Sequence, residues 1–150
     1  MKQPIWDRLR YFSKTENWGT PSKMSGRLLL LLDESRHYVG SRFYVSRGYD
    51  LNSSPKSTHR EGKAADILLP DCSRHPLDIL ISLERFDWGG IGYYPHWKFG
   101  NDVIGGWHLD VRSRAKHEAS ARWMGVLDEN GKQKYVALSY TNLCRYGVIQ

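Results

Sequence analysis

The chain has 150 residues and a formal net charge of +6, from 22 Lys+Arg against 16 Asp+Glu. That length bounds it to one domain with a real core, and 40% hydrophobic residues with six Trp, nine Tyr and four Phe exclude general disorder. Only two cysteines, Cys72 and Cys144, exclude a small secreted disulfide framework, and the longest apolar run, Leu28 to Leu32, is far short of a membrane span.

In chain order, Ser13 and Glu16 have capping-box spacing, which predicts a short helical turn. Thr20-Pro21 reads as an N-cap with proline at the first helical position. The helix it opens runs through Met24, Leu28, Leu31 and Leu32 toward Tyr38 and ends near Gly40. Residues 42–47 are aromatic and β-branched and predict a strand, and residues 50–56 are loop chemistry. A half-buried strand is expected over 63–69. His75-Pro76 then opens a second helix carrying Leu77, Leu80, Ile81 and Phe86. Residues 89–94 and 107–112 are two further strands. Asn130-Gly131 predicts a type I′ turn in a C-terminal hairpin over about 122–138. No repeat or linker divides the chain, and the order is not a regular βαβ alternation. An α+β domain over 1–150 is therefore expected.

The densest chemistry lies between Ser57 and Asp66. His59 precedes a turn centred on Gly62, and Asp66 lies on the strand that leaves it, so a reversal at Gly62 returns imidazole and carboxylate to one point. Ala64 and Ala65 are small enough to leave room. In Trp107-His108-Leu109-Asp110-Val111-Arg112, strand alternation puts His108, Asp110 and Arg112 on one face with the apolar residues behind. Hydrolytic zinc is commonly held by three protein ligands with a fourth position left open. His59, Asp66 and His108 make such a set, although a His and an Asp at this spacing also occur in chains that bind no metal.

The string Ser57-x-His59-x-x-Gly62-x-Ala64-x-Asp66 fills every fixed position of a longer pattern. It resembles the first metal motif of the zinc D-Ala-D-Ala carboxypeptidase family, which includes L,D-endopeptidases and shares the Hedgehog/DD-peptidase fold. Gly89-Gly90-Ile91-Gly92-Tyr93-Tyr94-Pro95, followed by Trp107 to Arg112, is similar to the second half of the pattern in its small carboxypeptidase-like branch. The segment Phe12 to Glu16, the helix from Leu28 to Arg36, and Val45-Ser46-Arg47-Gly48-Tyr49 fit that branch as well, so the resemblance spans about 12–125. It implies a small central antiparallel sheet with flanking helices. It further implies Zn2+ held by His59, Asp66 and His108, and a peptidoglycan stem peptide as substrate.

Two positions depart from the family pattern. Many members carry an acidic general base three residues before the second ligand histidine, where this chain has Gly105. Asp110, as base or as orienter of His108, and Asp102, across the 103–106 stretch, are the two substitutes. The arginine expected after Tyr49 is Asp50, so the cation that binds substrate or steadies an oxyanion falls to Arg47 or Arg112.

The remaining residues read more plainly. His37, His75 and His117 suit surface or cap positions, and His96 is either the same or a cleft-lining side chain. The glycines at 89, 90 and 92 lack the Lys-Ser/Thr of a phosphate loop and suit close backbone packing. Trp88, Trp97, Trp107 and Trp123 suit the core, with one at a groove rim. The basic residues are dispersed, and no nucleic-acid motif accompanies them, so no nucleic-acid partner is expected.

The expected activity is zinc-dependent hydrolysis of a stem-peptide amide. The alternative is a non-catalytic zinc-binding member of the same fold that binds wall or serves a structural role. Residues 1–7 show no signal peptide. The format suits a phage endolysin, held in the host cytoplasm before lysis, or a virion-borne wall-degrading component. The net charge then suits attraction to anionic cell-envelope polymers.

Overall fold

Ser25, rather than Thr20, starts the long N-terminal helix. The computed structural model describes residues 5–113 and 121–149. In it α1 spans Gly26–Val39, and the Ser25 side chain accepts a hydrogen bond from the Leu28 N–H. Thr20-Pro21 instead opens a single 3-10 turn, Pro21–Lys23, with no side-chain cap, and Met24 then turns the backbone extended. The Ser25 N–H is tied to the Gly62 carbonyl at 2.8 Å, which aims Ser25 to cap the helix that follows. At the other end Gly40 adopts the expected left-handed conformation, φ 77°. Leu28, Leu29 and Leu32 are wholly buried while Leu30 faces outward. Each buried leucine stabilises the fold by about 1.5–3 kcal/mol.

Ser13 and Glu16 also pair, but around a turn with no helix after it. The Glu16 carboxylate accepts from the Ser13 N–H at 2.7 Å, and the Ser13 carbonyl accepts from the indole of Trp18 at 2.7 Å. Burying Trp18 against Phe12 and Trp6 draws the chain away from a helical path.

The strands are β1 (Tyr44–Arg47), β2 (Ala64–Leu68), β3 (Gly90–Tyr94), β4 (Lys98–Phe99), β5 (Asp102–Val103), β6 (Gly106–Asp110), β7 (Ala121–Leu127) and β8 (Gln133–Ala137). Six form one sheet in the order β1-β2-β6-β3-β7-β8, while β4 and β5 make a separate small hairpin. The sheet is mixed rather than purely antiparallel, because β3 and β7 run parallel. This small α+β domain carries three α-helices among the described residues. Every residue of β2 is buried, so it is not the half-buried strand expected from its sequence. It lies between β1 and β6, so both of its edges are paired.

Helix α2 (Pro76–Leu83) starts where His75-Pro76 predicts, with the His75 ring accepting from the Leu77 N–H. Its inward side chains are Ile79 and Leu83, while Ile81 is 59% exposed and Phe86 lies past its end. Leucines and isoleucines fill both of its faces, so periodicity did not single out the buried one. The residues of α1 and α2 join Ile67, Ile91, Leu109 and Met124 in one core on one side of the sheet.

The C-terminal hairpin turns on three residues rather than two. The Gly131 N–H reaches the Asp128 carbonyl at 3.0 Å, Gly131 has φ 77°, and the Asp128 carboxylate accepts from the N–H groups of Asn130 and Lys132. Helix α3 (Tyr140–Arg145), capped by Ser139, follows the hairpin. A side-chain amide meets each outer strand: Asn17 donates to the Val45 carbonyl on β1 and Asn142 to the Ala137 carbonyl on β8. Among the described residues no helix is long and apolar enough to cross a membrane.

Candidate metal centre

Strand register lines up the site across the sheet. Arg47 pairs with Asp66, Asp66 with His108, His108 with Gly92, and Gly92 with Trp123. Residues paired in this way share a face. Ala65, Ile67, Trp107 and Leu109 point to the opposite face and into the core, which is the alternation the sequence predicts for β6.

His59 enters from the turn rather than from a strand. Its N–H donates to the Ser57 hydroxyl at 3.2 Å, and its carbonyl accepts from the N–H groups of Asp50 and Gly62. Gly62 has φ 69°, and a Cβ there would collide with the Lys23 carbonyl, so only glycine closes this turn.

The three side chains meet at one oxygen. His59 Nε2 lies 3.1 Å and His108 Nδ1 3.0 Å from Asp66 Oδ1. Their ligand atoms all fall within 4.8 Å of one another, and all three residues are buried. The outer nitrogens are anchored as well, His59 Nδ1 at 2.8 Å from the Gly48 carbonyl and His108 Nε2 at 2.8 Å from Asp110 Oδ2. A carbonyl only accepts, so His59 Nδ1 donates to Gly48, which fixes the ring with Nε2 facing the Asp66 carboxylate. His108 lies between two carboxylates in the same way. Two imidazoles and one carboxylate meeting at one buried point are a donor set that can hold a metal cation.

Charge follows the same pattern. Burial by itself would raise the Asp66 pKa, but hydrogen bonds from His108 and His59 outweigh it and hold the group at about 2. Burial favours a neutral His108, yet Asp110 and Asp66 prevail and shift it upward. Asp110 resists its own burial through His108 and Arg112 and stays well below the usual carboxylate range. Its side chain has no solvent exposure, and Arg112 grips it from Nε at 2.9 Å and Nη2 at 2.6 Å. Asp110 thus orients His108 and has no open side from which to take a proton.

The cluster opens into a cleft of about 550 Å³ that both candidate arginines line. Arg47 Nη1 is 3.8 Å from Asp66 Oδ2, while its Nε and Nη2 are held by Asp50 and Ser53. Asp50 therefore steadies a neighbouring arginine at the place where the family pattern has the arginine itself. Arg112 lies over the Trp123 ring, 5.1 Å from its centre.

Other expected residues lie elsewhere. Asp102 is exposed on the β4–β5 hairpin and is not among the residues lining the cleft, because that hairpin pairs with itself and not with the sheet. At Gly105 the backbone has φ 73° and the Tyr93 hydroxyl fills the position of a Cβ, so no acidic side chain fits there without a shift. His96 borders a separate shallow pocket with Val126 and Tyr146. His117 lies outside the described residues.

Two lining residues gave no sequence signal of a site, Gln133 and Tyr135, and Tyr94, Trp97 and Glu61 line the cleft as well. Trp123, at the groove rim, packs 5.2 Å from the His108 ring. Only the sheet order reveals these neighbours. The Glu61 carboxylate, 3.2 Å from Lys63 Nζ, could have been weighed from its place in the motif turn.

No protein-family model, curated protein or solved structure matches the chain. What fold and site define is an α+β domain whose buried His59-Asp66-His108 group can hold a metal ion at the floor of an open cleft.

Proposed function

We propose that the chain is a zinc-dependent peptidase that hydrolyses an amide of the peptidoglycan stem peptide. The observation that carries this reading is the convergence of His59 Nε2 and His108 Nδ1 on Asp66 Oδ1 beneath an open cleft, with both outer nitrogens anchored. The motif resemblance supplies the substrate class. When bound, zinc would supply Lewis acidity, bringing a water's pKa toward about 7 and polarising an amide carbonyl.

The chain's own groups do the rest. Asp110 and the Gly48 carbonyl hold the two imidazoles in register with Asp66. Arg47 and Arg112 present guanidinium groups to the cleft, where charge develops on the amide oxygen. Among the described residues lining the cleft, Glu61 is the carboxylate outside the ligand cluster, and this reading gives it the proton from the attacking water. The positive net charge serves attraction to anionic wall polymers.

The test pairs metal analysis with mass spectrometry of digested sacculi. About one zinc per chain and new amine termini in the stem peptide are expected. A protein without bound zinc overturns the metal half. Zinc with no turnover leaves a wall-binding protein of the same architecture.

A further inference from the structure

The cleft has two unlike ends, and strand order sets them apart. Arg47 stands at one end of the row of paired residues and Trp123 at the other, with Asp66 and His108 between. Four strand spacings separate the ends, about 19 Å. Lys56 and Lys63, before and after the ligand histidine in the chain, also line the cleft.

The other end is aromatic. The indole N–H of Trp123 donates to the Tyr94 hydroxyl at 2.9 Å, and Tyr94 stacks on Trp97 with centroids 4.1 Å apart and planes 9° from parallel. The Tyr94 ring lies over Gly125, whose register partner on β8 is Tyr135. Tyr135 is 64% exposed, and its hydroxyl accepts from Gln133 Nε2 at 2.9 Å. Both Tyr135 and Gln133 face the cleft.

We propose that this aromatic end, built by the β7–β8 hairpin, is a saccharide subsite that takes an N-acetylhexosamine of the glycan strand. The inference rests on the peptidase reading for its substrate, since the stem peptide hangs from such a sugar. A pyranose ring has an apolar face of axial C–H groups and a rim of hydroxyl and acetamido groups. The exposed Tyr135 ring with its polar tip, beside the Gln133 amide, matches both features at once. The end has no carboxylate among the described cleft-lining residues, and Arg112 over Trp123 is already clamped by Asp110, whereas Arg47 at the other end suits a carboxylate of the stem. Substrate thus lies along the row, sugar toward Tyr135 and peptide toward Arg47.

The test uses a soluble β-1,4-linked N-acetylglucosamine tetramer, followed by tryptophan fluorescence. A saturable change is expected, weakened about tenfold by Tyr135→Ala. Tyr140→Ala, which removes a tyrosine of 65% exposure outside the cleft lining, leaves it unchanged. In digests, a disaccharide-bearing stem peptide is expected to be cut with kcat/KM about tenfold above the same peptide freed of sugar, and Tyr135→Ala removes that preference. No saturable binding, or equal cleavage of the two peptides, overturns the subsite. Tetramer binding that survives intact in Tyr135→Ala overturns it too. Binding without any cleavage overturns the peptidase reading alone, because the tetramer contains no amide of the stem.

Discussion

Asp110 on β6 and Asp102 on the β4–β5 hairpin are the two substitutes for the missing base, both on the same stretch of chain as His108, with Asp110 the preferred site residue. The sheet separates them. Asp110 sits in register with Ala64 and Gly90 and is clamped between His108 and Arg112. Asp102 pairs with Phe99 in a hairpin of its own and faces solvent. Nearness along the chain therefore says less about a site than shared register does, since residues in register stand about 5 Å apart across strands.

The contrast can be broken in steps, and the largest effect belongs to the shared ligand. Asp66→Ala removes the oxygen on which both imidazoles converge, so zinc content is expected to fall from about one equivalent to near zero by atomic absorption. Asp110→Asn leaves the first ligands in place but loosens His108, and metal affinity should drop about 10–100-fold in a competition titration. The matching Asp102→Asn should leave both metal affinity and thermal stability unchanged. A comparable loss there would erase the distinction between the two carboxylates.

Gly90→Ala tests the same pocket from below, because a Cβ at that position runs into the Asp110 carboxylate. A destabilisation of about 1–3 kcal/mol in urea melts is expected. The smallest effect is alkaline. Burial pushes Tyr93 and Tyr94 up to about 12, for Tyr94 against a hydrogen bond from Trp123. The fold holds these phenols neutral, whereas the unfolded chain releases their protons from about pH 10. Their contribution to stability is complete below pH 10 and declines as pH rises toward 12. An ultraviolet titration of tyrosinate should show two late groups, and their absence would place the rings in water.

What the sequence made legible was local. The Gly62 turn, the alternation along β6, the helix stop at Gly40 and the proline-opened α2 all follow from a few neighbouring residues, whereas the trio His59, Asp66 and His108 joins distant segments and came from the motif resemblance. What it hid was decided at long range. Ser25 wins the helix start because its N–H is tied to Gly62, and β7 pairs, in parallel, with the edge of β3 that β6 leaves free. The aromatic wall was hidden for the same reason: Tyr94 and Tyr135 become neighbours only through Gly125.

The two asparagines at the sheet's outer strands bear on a different property, colloidal behaviour. An open sheet has two rims, and an unpaired rim is a template on which another copy can add a strand. Here Asn17 takes a carbonyl on β1 and Asn142 one on β8, so an acceptor on each outer strand is already engaged by a side-chain amide. Lys132 and Lys134 add like charge along the second rim. One capped carbonyl on each outer strand thereby leaves fewer open acceptors for another copy to pair with edge to edge.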